Sequence, residues 1–147
     1  MATPASTAAW ATALGAVPGS MASFVLLKAA PDTVLLLLQA DLLAQTLKRL
    51  SMFVLRAKVR LSDASAQWQL HGLAGVAARA ALGEAAPWQA QAQGEAWAIA
   101  LPSAGLNEQR VPRALWLAPT GQTLPAVQPL SAALWAWGEV LAAVPLV

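Results

Sequence analysis

The sequence predicts an α+β domain, with a mixed, largely antiparallel sheet and helices packed on it. Three observations predict it. In Asp41–Asp63 (DLLAQTLKRLSMFVLRAKVRLSD), Leu43, Leu47, Leu50 and Val54 recur at helical spacing and form one apolar face. After about Phe53 the period changes to two. Leu55, Ala57, Val59 and Leu61 alternate with Arg56, Lys58 and Arg60, the pattern of a strand with one buried and one basic face. Upstream, two β-rich runs, Ala22–Lys28 and Thr33–Gln39, meet at Pro31-Asp32, which makes a turn between paired strands.

The remaining elements follow in order. Residues 1–20 are rich in Ala, Thr and Ser, lack charge and show no clear period, so they are expected to be poorly ordered or weakly helical. Asp41 is placed to cap the helix that follows it. Ala66–His71 alternates Trp68 and Leu70 with Gln67, Gln69 and His71, and reads as a strand. The core unit is therefore β-β-α-β-β. Gly72 and Gly75 bracket a tight turn, and Val76–Leu82 is a helix closed by Gly83. Glu84–Glu95 reads as a surface connection. Ala96–Leu101 and Arg113–Ala118 read as strands ended by Pro102 and Pro119, and Ser131 caps a last helix over Ala132–Ala142.

Composition narrows the function classes. Of 147 residues, 58% are hydrophobic and 11% charged, against roughly a quarter charged in ordinary soluble domains. Much of the surface must then be apolar, which points to a partner, a neighbouring domain or a membrane. A spanning helix is not expected. Val34–Leu38 is too short, and Leu130–Val147 contains Glu139 and Pro145; a charge mid-span costs about 2.5–3.5 kcal/mol. A net charge of +2 spread over so few charged groups does not by itself mark a nucleic-acid binder, and no DNA partner is expected. The absence of cysteine excludes disulfides, thiolate catalysis and Cys-ligated metals within the chain. A single histidine excludes a multi-histidine metal site. The chain does not open on a basic segment and an apolar run, so no secretory signal is read and a cytoplasmic location is expected.

Catalytic constellations are thin. His71 lacks a nucleophile in a G-x-S-x-G context, and the seven carboxylates are scattered over turns, caps and loops. Gly72-Leu73-Ala74-Gly75 lacks the further residues of a phosphate loop. The charge cluster is Arg56, Lys58 and Arg60, with Lys48 and Arg49 nearby. It is either a solvated face or a face that attracts an anionic ligand or RNA. Trp135 and Trp137 cannot share one helix face, so one of them faces a pocket, a partner or solvent.

Met21–Leu82 resembles the middle of the YgfZ-type folate-binding proteins, relatives of the glycine-cleavage aminomethyltransferase. The resemblance is carried by ASFVLL, DTVLLLL, ADLLAQTLKRLSMFVLRAKVRLSD, the GLAG turn and the ARAAL helix. RALWLAP and ALWAWGEVLAAVPLV look like the next family segments. It implies an aminomethyltransferase-like fold that binds tetrahydrofolate and supports assembly or repair of iron–sulfur client proteins, without a competent transferase reaction. Trp135 matches a family tryptophan that contacts folate. Three departures stand out. No Q-G-Q-x-T-x-D-like motif precedes Met21, Val17-Pro18-Gly19-Ser20 stands where a basic segment is usual, and no K-G-C-Y-x-G-Q-E motif follows. Ala143 also stands where a glycine is usual. Residues 21–147 are accordingly expected to be a partial folate-binding domain. The rival reading is a non-catalytic interaction module whose Arg56/Lys58/Arg60 face binds protein or RNA.

Overall fold

The computed structural model describes residues 6–14, 20–54, 58–105 and 109–143. Strands β1 (Ser6–Leu14), β2 (Ser20–Ala30) and β3 (Thr33–Leu37) come first. A 3-10 turn at Ala40–Leu42 leads into helix α1 (Leu43–Ser51). Then come β4 (Trp68–Ala74), α2 (Val76–Leu82), β5 (Gln89–Gln93), β6 (Ala96–Ala104), β7 (Val111–Pro119) and α3 (Ala132–Leu141). The fold is α+β, with a seven-stranded sheet in the order β3-β2-β1-β5-β6-β7-β4. Every neighbouring pair is antiparallel.

The sheet is two ladders joined by a short seam. β1 pairs with β2 along most of its length, from Ala8↔Leu27 to Leu14↔Ser20. Among the described residues it meets β5 at Ser6↔Ala90 and Thr7↔Gln89. The sheet also curls. β3 and β4 are its two edges, six strand spacings apart, or about 29 Å if flat. Yet Leu37 and Leu38, at the end of β3, line the same cleft as Leu70 of β4.

Side chains opposite each other in register share a face. On one face Ala114, Trp116 and Ala118 of β7 join Ala96, Ala98 and Ala100 of β6 and Leu73 of β4. Helix α2 packs there through Ala78 and Leu82, with Ala77 and Ala81 alongside. Alanine on both sides lets helix and sheet approach closely, at the cost of a core poor in apolar volume. The other face carries Ile99, Leu115 and Leu117, with Val25 and Leu27 of β2 brought over by the curl. Trp68, Trp88 and Trp97 pack against that second core. Gly83 ends α2 at φ +58°, a backbone conformation that glycine adopts without a Cβ clash.

Several sequence expectations need correction. Residues Ser6–Leu14 form a strand between β2 and β5 rather than a helix. Thr7, Trp10 and Thr12 are good strand formers, and an uncharged strand tolerates an interior seat. Asp41 does not cap α1; it lies in the 3-10 turn, and the N-cap residue is Leu42, with no side-chain cap bond. The inward face of α1 otherwise follows the predicted period, with Leu43, Leu47 and Leu50 partly buried beside buried Thr46.

The basic strand does not form over its described part. Lys58–Asp63 has no strand structure, and Lys58, Val59 and Arg60 are exposed. Alternation cannot make a strand without a partner, and both sheet edges are supplied by β3 and β4. Leu55, Arg56 and Ala57 lie outside the described residues. Further on, the Asp63 carboxyl is held below the usual carboxylate range by the Ser65 hydroxyl and then by the Ser65 backbone N–H, which donates to Oδ1 at 2.8 Å.

Gly72 is not part of a turn but lies inside β4. Glu84–Glu95 is not a plain connection, because Gln89–Gln93 pairs with β6 as β5. β6 runs past Pro102 to Ala104, with a register shift between Leu101 and Ala104 that accommodates the proline. The predicted hairpin of β2 and β3, helix α2 and the Ser131 cap are all present; Ser131 Oγ accepts from Leu134 N at 3.2 Å. No described helix is long and apolar enough to cross a membrane.

Candidate functional site

The cleft face is organised by one buried cation. Arg113 enters on β7, and its partner in register is Ala74 of β4. Its side chain is 2% exposed. A guanidinium removed from water needs an anion and further acceptors, and α3 supplies both. Arg113 Nη2 donates to Glu139 Oε1 in a buried ion pair. Nη1 donates to the Gly138 carbonyl at 3.2 Å, while Nε has no partner. The guanidinium also lies 4.6 Å from the centroid of the Trp135 ring, an attractive cation–π contact.

Trp135 is held from the other side by β4. A Cβ built on Gly72 would stand 2.6 Å from Cη2 and Cζ3 of the indole. Only a glycine there lets the ring reach the sheet. Gly72, Trp135, Arg113 and Glu139 therefore form one unit that locks α3 to the end of the curled sheet. Trp137, two residues on, is 59% exposed, so the two tryptophans take opposite surroundings as their spacing requires.

Glu139 also borders the cleft between the two sheet edges. Its volume is about 300 Å³. Phe24, Val25, Leu37, Leu70 and Leu115 make much of the wall. Polar groups are few: Glu139, Gln39 and Ser23, whose buried Oγ has no hydrogen-bond partner. Trp88 lines the cleft with φ +68°, an outlier for a bulky residue, and its N–H donates to the Ala100 carbonyl at 2.8 Å. Such outliers cluster where a site over-determines the backbone.

Of the residues singled out from the sequence, Trp135 does not line the cleft; it packs on Arg113, whose ion-pair partner Glu139 does. Lys58 and Arg60 are exposed and do not line the cleft, and Arg56 lies outside the described residues. Arg113, Glu139, Ser23 and Trp88 were not singled out. One signal for the ion pair was present. Arg113 and Glu139 are the two charges that bound an uncharged run of mostly apolar chain, and opposite charges isolated in that way tend to find each other. Nothing in the sequence marked Ser23 or Trp88.

No protein-family model, no curated protein and no solved structure matches this chain.

Proposed function

We propose that the cleft binds a folate-type ligand, tetrahydrofolate by the resemblance of the sequence, and that the chain is a binding protein rather than an enzyme. The observation that supports it is a carboxylate held in the wall of an otherwise apolar cleft. Glu139 is fixed by Arg113 on one oxygen, so its other oxygen can accept from a ligand N–H. A pterin is flat, apolar on its faces and rich in N–H donors along one edge. Trp88 and Phe24 offer it aromatic surface, and the Ser23 hydroxyl offers a further hydrogen bond. The volume lies at the low end of the roughly 300–1,000 Å³ typical of ligand sites. It suits a bicyclic head and leaves the rest of a folate outside.

Trp135 then has a positioning role, because it packs on the guanidinium that orients Glu139. Support of iron–sulfur client proteins is part of the same proposal and rests on the family resemblance alone.

The test is a tetrahydrofolate titration followed by tryptophan fluorescence and calorimetry. Saturable binding is expected to weaken about tenfold or more in Glu139→Gln, since a hydrogen bond to a charged group contributes about 1.5–3 kcal/mol. Ser23→Ala is expected to weaken it less. Absence of saturable binding in the folded protein, or binding indifferent to both substitutions, would reject the proposal.

A further inference from the structure

We propose that the C-terminal end of α1 docks on an anionic lipid surface. Met52 and Phe53 follow the last turn of the helix and are 58% and 69% exposed. Two adjacent large apolar side chains standing in water at a helix end are costly unless something covers them. The charged residues that flank them in sequence are of one sign. Lys48 and Arg49 occupy the last turn of α1, and Lys58 and Arg60 are exposed a few residues beyond. No carboxylate intervenes between Asp41 and Asp63. Arg60 lies seven residues beyond Phe53, a span of at most about 25 Å, so Lys58 and Arg60 are within reach of the same patch of headgroups.

This is the chemistry of an interfacial anchor. Apolar tips enter the boundary between headgroups and acyl chains, while lysine and arginine meet the phosphates. Charge complementarity names the occupant. RNA would use the same cations but would recognise the ring by stacking. The Arg49 guanidinium already lies 5.6 Å from the Phe53 centroid, and Met52 offers aliphatic volume with no π-face. The outer face of α3 is also apolar and exposed at Leu134, Trp137 and Val140. It carries no cation, so it lacks this complementarity.

Flotation of the full chain with vesicles tests the proposal and does not depend on ligand binding in the cleft. Binding is expected to vesicles of phosphatidylcholine with about 30% phosphatidylserine, to be absent with phosphatidylcholine alone, and to fall with salt. Each of Lys48→Gln, Arg49→Gln, Lys58→Gln and Arg60→Gln is expected to weaken it roughly fivefold. Met52→Ser/Phe53→Ser should abolish it with the circular-dichroism spectrum intact, whereas Phe53→Leu should retain it, which misfolding would not reproduce. Equal binding to neutral vesicles would overturn the proposal. So would binding that survives Met52→Ser/Phe53→Ser, or cation-dependent binding of polyuridine without any vesicle binding.

Discussion

Arg113 shows how one residue can hold two elements together and shape a site. Its charge is out of water, so its stability rests on Glu139, the Gly138 carbonyl and the Trp135 ring. Removing one partner of a buried pair leaves the other uncompensated, at about 3–5 kcal/mol. Arg113→Met and Glu139→Leu are each expected to cost that much in chemical denaturation. The double variant should recover most of the loss, because an apolar pair of similar volume avoids the desolvation of both charges. A residue-scale strain lies just past the C-terminal end of α3. Ala143 follows the C-cap residue with φ +53°, where a Cβ costs roughly 1–2 kcal/mol. Ala143→Gly should therefore raise the melting temperature, with a gain of about 1 kcal/mol after the added chain entropy of glycine is deducted.

Among the elements, α2 and the sheet beneath it meet through alanine on both sides, with Ala78 and Ala98 fully buried. Ala98→Leu is expected to force helix and sheet apart and destabilise the fold by about 1–3 kcal/mol, readable as a lowered denaturation midpoint. The same interface explains what the sequence reveals and what it hides. Val76–Leu82 announces itself through strong helix formers and a closing glycine, and the β2–β3 hairpin through β-branched and leucine runs around Pro31-Asp32. β5 is hidden because QAQAQ has the period of a strand in residues of weak strand preference. Only its place beside β6 settles its conformation. The Arg56–Arg60 alternation misleads for the converse reason: its local pattern is correct, but the described part, Lys58 to Arg60, has no neighbouring strand to pair with. The cleft is hidden most deeply. Glu139, Ser23, Trp88 and Leu37 come from three different parts of the chain, and only the curl of the sheet brings them to one wall.

At the scale of the molecule, the chain is two antiparallel ladders, one built from β1 to β3 and the other from β4 to β7. The cleft lies where the outer edges of the two approach. Arg113, Trp135 and Glu139 lock α3 to the second ladder. On the first ladder, Val25 and Leu27 cross to the second core. A ligand in the cleft touches both ladders and should stabilise the whole chain in proportion to its concentration over its dissociation constant. Thermal denaturation with and without tetrahydrofolate reads that gain.

The seam between the ladders has a kinetic consequence. Among the described residues, strand β1 is joined to β5 by Ser6↔Ala90 and Thr7↔Gln89, so opening that junction, together with the contacts of Val25 and Leu27 in the second core, frees the first three strands as a unit without disturbing the pairing of β6 and β7. In native-state hydrogen exchange, the amides of β2 and β3 should trade their protons together, with less protection than those of β6 and β7. Two exchange classes would show that the molecule breathes along that line, and that the route by which water first reaches the second core runs through the first three strands.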